Sequence, residues 1–164
     1  MKRVSVVQVG LGTVGGVLLE QILDQHDRWM QEHGLDIQVM AVANRAGAVV
    51  GPCDDGGAPQ PLSTERVHAL VEGRRSRITV DAPTSSLQDA IARIVPAGPV
   101  IVVDAASGEQ TVDALVVALD AGAGAVLSNK APLALPIADP RSTTLWNAVR
   151  TDALRYEATC GAGL

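Results

Sequence analysis

Three glycines at fixed spacing near the start of the chain constrain its fold more than any other feature. They lie in the segment Gly10, Leu11, Gly12, Thr13, Val14 and Gly15. A short Val-rich run at residues 4–9 precedes this segment and predicts a buried parallel strand. Apolar side chains then recur at nearly helical spacing over residues 13–33, and Gly34 is a typical helix stop. The sequence therefore predicts that a strand, a glycine loop and a helix open the chain.

The spacing of the glycines has a chemical explanation. Gly10 permits the tight turn out of the strand, Gly12 lets the backbone approach a diphosphate, and Gly15 lets the helix pack closely on the strand. The first N–H groups of the helix then face the phosphates, and the helix dipole favours the negative charge. We predict that residues 10–15 bind a dinucleotide; the alternative is a glycine-rich turn that binds nothing.

Predicted strands and helices alternate along the rest of the chain. Further strands are expected at residues 37–43, 78–80, 100–104, 125–128 and 154–158. Further helices are expected at residues 63–73, 87–95, 107–121 and 139–152. This alternation predicts an α/β fold of the Rossmann type, with a doubly wound, mainly parallel sheet and helices on both faces.

Local signals refine these boundaries. Ser85 with Gln88, and Ser107 with Gln110, have the spacing of capping boxes at the start of two helices. Residues 46–62 are rich in Gly, Pro and Asp and predict a loop inside the domain. With 164 residues, one domain is expected.

Charge and composition argue against several functions. The net charge is −5 and only 2% of residues are aromatic, so a nucleic-acid-binding surface is not expected. The densest cationic group, Arg74, Arg75 and Arg77, is interpreted as a solvated turn after a helix. No apolar stretch is long enough for a bilayer, and Cys53 and Cys160 have no pairing signature. We expect a cytoplasmic protein with free thiols and no membrane partner.

The residues after the second predicted strand indicate which cofactor is preferred. Sites that prefer NAD usually have Asp or Glu there, to bind the adenosine ribose. Here the strand ends in Asn44 and Arg45 instead. The amide of Asn44 can bind a ribose, and the guanidinium of Arg45 can pair with a 2′-phosphate. We therefore predict NADP(H) rather than NAD(H), the alternative being that Arg45 is only a solvated loop residue.

Two later strand ends face the same predicted crevice. Ala105, Ala106 and Ser107 follow the strand at residues 100–104, and such small side chains leave room for the nicotinamide ribose. Asn129 and Lys130 follow the next strand, where the lysine can bind a substrate oxygen or the ribose beside the nicotinamide. The alternatives are an ordinary strand end and an exposed loop lysine.

The composition of residues 157–164 is compatible with a bound cation. Glu157 is followed by small residues and two glycines, a composition compatible with backbone carbonyls around a cation, although a turn leaving a strand is the simpler interpretation.

Four segments together resemble homoserine dehydrogenase. They are the glycine loop, residues 103–107, residues 128–134 (Ser-Asn-Lys-Ala-Pro-Leu-Ala) and residues 156–164 (Tyr-Glu-Ala-Thr-Cys-Gly-Ala-Gly-Leu). The family reduces aspartate semialdehyde to homoserine with NAD(P)H, on the route to threonine and methionine. The resemblance implies that Lys130 is catalytic and lies between nicotinamide and substrate. It also implies a sodium site made by the Glu157 side chain and the carbonyls of Cys160, Ala162 and Leu164. Cys160 replaces a common Val there, which a carbonyl ligand tolerates.

The resemblance covers residues 1–164, but only the amino-terminal, cofactor-binding domain of the family. It implies that the substrate and dimerisation domain is absent, that the full-length protein is a homodimer through that domain, and that the chain alone binds cofactor without efficient turnover. Exposed apolar surface is expected where that domain docks. Three alternatives remain open: the cofactor domain of another amino-acid dehydrogenase, such as aspartate dehydrogenase; a stand-alone nucleotide-binding or redox-sensing module; and a structural domain that binds no nucleotide.

Overall fold

Strands and helices alternate through the computed structural model, which describes residues 1–75 and 85–160. The strands are β1 (Lys2–Val9), β2 (Leu35–Asn44), β3 (Gly47–Val50), β4 (Val100–Asp104), β5 (Gly124–Leu127) and β6 (Leu154–Arg155). The helices are α1 (Thr13–His33), α2 (Thr64–Arg75), α3 (Leu87–Ile94), α4 (Val112–Asp120) and α5 (Pro140–Arg150). Short 3₁₀ turns lie at Val95–Ala97, Ala131–Ala134 and Glu157–Thr159.

The strands form one sheet in the order β3-β2-β1-β4-β5-β6. All neighbouring pairs are parallel except β2 and β3, which are antiparallel. The chain proceeds from β1 to β2 on one side and later returns to place β4 on the other side of β1. The carboxyl ends of β1 and β4 therefore flank a topological switch point, where open α/β sheets bind their ligands. This architecture confirms the predicted Rossmann-type fold.

The core has two apolar layers, one on each face of the sheet. On one face, Leu19 of α1 and Val67 of α2 pack against Val6. On the other face, Ile91 of α3 and Leu115 of α4 belong to the same apolar layer as Val7 of β1. Because successive side chains of β1 enter opposite layers, a strand covered on both faces requires apolar residues on both, which explains why β1 is rich in valine.

The structure corrects the prediction that residues 46–62 are only a loop. β3 lies in this range and forms a hairpin with β2, in which Asn44 is opposite Gly47. Gly47 has a φ of 138°, a left-handed value that favours glycine. Ala48 and Val49 are buried, so tertiary packing turns a weak local signal into a strand. The strand predicted at residues 78–80 lies outside the described residues.

Both predicted capping boxes are wrong in detail. The cap of α3 is Ser86, whose hydroxyl oxygen accepts from the Asp89 N–H at 3.1 Å, whereas Ser85 pairs with the backbone of Ala48. The helix predicted from residue 107 begins only at Val112. Gly108 has a φ of 91°, outside the helical range, so a helix cannot run from Ser107.

The last predicted strand is shorter than expected, because β6 ends at Arg155 and the 3₁₀ turn Glu157–Thr159 follows. Within the described ranges, no helix has the length and apolar character that a bilayer crossing requires.

Candidate dinucleotide-binding site

The glycine loop is held between the carboxyl ends of β2 and β4. The Gly10 N–H donates to the carbonyl of Ala43 at 2.9 Å, and the Ala105 N–H donates to the carbonyl of Val9 at 2.8 Å. Gly10 has a φ of 91°, and a Cβ built there would lie 2.6 Å from the Ala105 carbonyl oxygen. A larger residue at position 10 would therefore both strain the backbone and push the β4 loop away.

The other two glycines differ in what surrounds them. A Cβ at Gly15 would lie 2.0 Å from the carbonyl oxygen of Gly10, so this glycine is required for the close approach of α1. A Cβ at Gly12 would meet no atom within 4 Å, and Gly12 is the N-cap of α1 without a side-chain cap. The open space lies directly before the first N–H groups of the helix, which fits a diphosphate.

The remaining residues of the loop border this open space to different degrees. Leu11 and Thr13 line a pocket of about 350 Å³ beside Gly12, together with Arg74 and Arg75 of α2. Val14 points away from the core and is 58% exposed. The two arginines belong to the last turn of α2, rather than to a turn after it as the sequence suggested.

Gln8 of β1 supports the glycine loop and was not among the predicted site residues. Its side chain is fully buried, and its Nε2 donates to the carbonyl of Gly10 at 3.1 Å. Its Oε1 is also buried and has no hydrogen-bond partner among the described residues. A buried unsatisfied oxygen costs roughly 1–3 kcal/mol, which the hydrogen bond from Nε2 to the glycine loop offsets in part. The signal was available: Gln8 interrupts an otherwise apolar part of β1.

The two residues proposed for the adenosine end occupy the tight turn between β2 and β3. The Asn44 side-chain oxygen accepts from the Ala46 N–H at 2.7 Å, which fixes the turn. Arg45 is exposed and makes no ion pair with any described residue. Because the preceding residue, Ala43, binds Gly10, this turn is anchored next to the glycine loop.

The end of β4 contains a buried carboxylate. Asp104 has no exposed surface, and its Oδ1 accepts from the Ala106 N–H at 3.0 Å. Its Oδ2 accepts from the Thr111 hydroxyl at 2.7 Å and from the Asn129 amide at 3.1 Å. Ala105 and Ala106 are half-buried and Ser107 is exposed. Asp104 thus holds the loop that contains these three residues of the predicted site.

Asn129 joins that loop to the end of β5. It is buried, its Nδ2 also donates to the carbonyl of Gly108 at 2.8 Å, and its Oδ1 accepts from the Ala131 N–H at 3.2 Å. The amide of Asn129 is therefore used for loop structure in this conformation. Lys130 follows directly, is exposed, and has no ion pair within the part of the chain that the structure describes. Its ammonium group is thus available to a ligand.

The predicted cation site is only partly described. Glu157 is exposed in the final 3₁₀ turn, and its Oε1 lies 3.6 Å from Nη1 of Arg155. Cys160 is an exposed free thiol, and its N–H donates to the carbonyl of Glu157 at 3.3 Å. Ala162 and Leu164 lie outside the described residues. In residues 1–75 and 85–160, no cluster of three or more His, Cys, Asp or Glu side chains is arranged for a metal ion.

The fold resembles solved homoserine dehydrogenases. A hyperthermophilic archaeal enzyme in complex with NADPH has a TM-score of 0.67 and 22% identity; the match covers 96% of this chain and 44% of that chain. The enzyme of Thermoplasma acidophilum has a TM-score of 0.66, 18% identity and the same coverages. The Staphylococcus aureus enzyme at pH 7.5 has a TM-score of 0.58 and 20% identity, covering all of this chain and 34% of its own. The chain thus spans less than half the length of these proteins.

The sequence itself also matches a known family. A comparison with curated protein sequences finds no significant match. A family model described as the NAD-binding domain of homoserine dehydrogenase matches residues 10–144, which is most of the chain. The family predicted from the four segments is therefore confirmed. The chain belongs to the family of homoserine dehydrogenase NAD-binding domains.

Proposed function

We propose that this chain is the cofactor-binding part of a homoserine dehydrogenase and that it prefers NADP(H) to NAD(H). The main observation in support of the proposal is the open space at Gly12, in front of the first N–H groups of α1. A cationic side chain at each predicted end of the cofactor also supports the proposal. Arg45 is a cation beside the predicted adenosine end, and Lys130 is a cation beside the predicted nicotinamide end.

When bound, the nicotinamide dinucleotide supplies or accepts a hydride. Residues 10–15 bind its diphosphate, and Asn44 with Arg45 bind the adenosine ribose and its 2′-phosphate. Ala105, Ala106 and Ser107 leave space for the nicotinamide ribose. The turn at Asn129 and Lys130, held by Asp104, closes that side.

Lys130 is the one catalytic residue that we assign. Its ammonium would hold the substrate oxygen, on which negative charge develops as an aldehyde becomes an alkoxide. The proposed reaction is the reduction of aspartate semialdehyde to homoserine, which belongs to threonine and methionine biosynthesis. The proposal rests on the family and on the position of Lys130, three residues beyond the end of β5.

The match covers only 44% of the length of the archaeal homoserine dehydrogenases. Placing two reactants correctly accounts for roughly 7–11 kcal/mol of a barrier, and this needs a substrate pocket. We propose that a further domain provides the pocket and the homodimer interface, in a cytoplasmic enzyme. We also propose that Glu157, Cys160, Ala162 and Leu164 bind Na⁺ in the complete protein.

The cofactor preference can be tested by titration. NADPH and NADH are added separately to the chain, and the dissociation constants are measured from nicotinamide fluorescence. We expect tighter binding of NADPH, and we expect Arg45→Ala to weaken NADPH binding about tenfold while NADH binding stays unchanged. Arg93→Ala, which removes the same charge from the last turn of α3, is the control. Equal affinities in the wild type, or an equal loss in Arg45→Ala, would contradict the preference.

A further inference from the structure

We propose that Arg74 binds the diphosphate of the dinucleotide and that Arg75, fixed by Glu20, forms the rigid side of the same site. This inference rests on the proposed function of the glycine loop. Their sequence context alone predicts only a solvated turn after a helix.

The first support is the position of the two side chains. The pocket of about 350 Å³ has the glycine loop on one side, with Gly12 and Thr13, and the end of α2 on the other. α2 therefore ends where α1 begins. The cationic last turn of α2 and the positive end of the α1 dipole face one space.

The second support is that one guanidinium group is paired with a carboxylate and the other is not. Arg75 donates two hydrogen bonds to Glu20, both at 2.7 Å, in a bidentate pair. The hydrogen bond to Glu20 raises the pKa of Arg75 above its ordinary value. Its charge is already compensated, so Arg75 mainly fixes the end of α2 against α1. Arg74 is exposed and has no ion pair with any described residue, so its charge is available to an anion.

The charges around the pocket favour an anion. Its lining among the described residues contains two arginines and no carboxylate: Leu11, Gly12, Thr13, Gly16, Val17, Val71, Arg74 and Arg75. Val71 is a buried apolar part of this lining, whereas Val17 is 42% exposed. Because Glu20 compensates the charge of Arg75, Arg74 supplies the available cation. One such cation beside a helix N-terminus is suited to a phosphate group.

The lining also indicates which phosphate is bound. The pocket reaches Gly12 and Thr13, where the diphosphate would lie, and Arg45 is not part of its lining. Arg74 therefore acts on a group that NADH and NADPH share. Arg45, in the β2–β3 turn, acts on the 2′-phosphate that only NADPH carries.

The test uses the same fluorescence titrations with NADH and NADPH, at several salt concentrations. We expect Arg74→Ala to weaken both cofactors about tenfold, and to reduce the dependence of affinity on salt. Arg74→Lys should recover part of the loss, because it restores a charge without the planar fork. Arg93→Ala, in the last turn of α3 on the other face of the sheet, should change neither affinity. Thermal unfolding of each variant checks that the fold is kept.

Three outcomes would overturn the proposal. Unchanged binding of both cofactors by Arg74→Ala would show that the guanidinium does not contact the diphosphate, while the proposed function would stand. A loss confined to NADPH would place Arg74 on the 2′-phosphate instead. Absence of binding by the wild-type chain would overturn both this inference and the proposed function.

Discussion

Charged side chains at the end of the sheet opposite the glycine loop give one residue-scale prediction. His26 of α1 lies with Nε2 at 3.1 Å from Oδ1 of Asp36, which is buried near the start of β2. The other carboxylate oxygen accepts from Arg3 at 3.2 Å and from Gln38 at 3.0 Å. This group links α1 to β1 and β2 far from the site, so it can be altered without touching the cofactor.

The hydrogen bond with Asp36 raises the pKa of His26 above 6.5, against the lowering effect of burial. The burial of Asp36 raises its pKa, but hydrogen bonds from His26, Arg3 and Gln38 outweigh this effect and hold it below 3.8. The histidine therefore stabilises the fold fully below pH 6.5, and this contribution is lost as pH rises through its raised pKa. The aspartate contribution is lost as pH falls through its lowered pKa.

We expect His26→Gln to remove the part of the stability decrease that occurs as pH rises above 6.5. Urea unfolding at closely spaced pH values measures this effect. His33→Gln is the control, because His33 is more exposed and lies 3.9 Å from its nearest carboxylate oxygen. If the wild type and His26→Gln have parallel stability curves from neutral pH upward, the hydrogen bond with Asp36 does not perturb His26 as described.

At the scale of elements, the buried carboxylate of Asp104 connects the ends of β4 and β5. Asp104→Ala would leave the Thr111 hydroxyl, the Asn129 amide and the Ala106 N–H without this acceptor. Each unsatisfied buried donor costs roughly 1–3 kcal/mol, so a clear loss of stability is expected. Because both loops lie at the proposed nicotinamide end, NADPH binding should weaken more than binding of the adenosine fragment 2′,5′-ADP.

Denaturant unfolding and titrations with the two ligands measure these effects. Asp113→Asn serves as the control, because Asp113 is exposed on α4 and forms a surface ion pair with Arg141. An Asp104→Ala variant with wild-type stability would contradict the structural role of the carboxylate. Equal weakening of NADPH and 2′,5′-ADP would contradict its position at the nicotinamide end.

The elements that could be predicted from the sequence are those with strong local signals. α1 has helical periodicity and a glycine stop, and Gly34 indeed adopts a left-handed φ of 64°. β3 was missed because its stability comes from pairing with β2, as well as from burial. The start of α4 was placed too early because Gly108 and Thr111 act through conformation and a distant carboxylate, which no local pattern reveals.

The site shows the same division. The glycine loop was predicted because all of its chemistry lies within six consecutive residues. The function of Asp104 depends on Asn129, which is 25 residues away, and its burial cannot be read from the sequence. Arg74 lines one pocket with the glycine loop because α2 ends where α1 begins, a consequence of packing between helices.

At the scale of the whole molecule, the match covers 44% of the length of the two archaeal relatives. Several large apolar side chains of this chain are exposed. Ile137 is 97% exposed, and Trp146 and Tyr156 are 41% and 36% exposed and pack edge to face. The prediction that a further domain covers apolar surface stays open. The corresponding functional prediction is that this chain alone binds NADPH but oxidises homoserine with no useful rate. An oxidation assay at saturating cofactor measures this, and a rate near that of a full-length enzyme would contradict it.

The central claim is that the N–H groups at the start of α1 bind a dinucleotide diphosphate in the open space at Gly12. Gly12 has a φ of −68° and a ψ of −170°, an extended conformation that any residue adopts, so Gly12→Val should fold normally. Gly56→Val, in an exposed loop, is the matched control.

The decisive measurement is the NADPH dissociation constant of these two variants and the wild type, with thermal unfolding as a check on folding. We predict that Gly12→Val weakens NADPH binding at least about tenfold and that Gly56→Val leaves it unchanged. Wild-type affinity in a folded Gly12→Val sample would contradict the account.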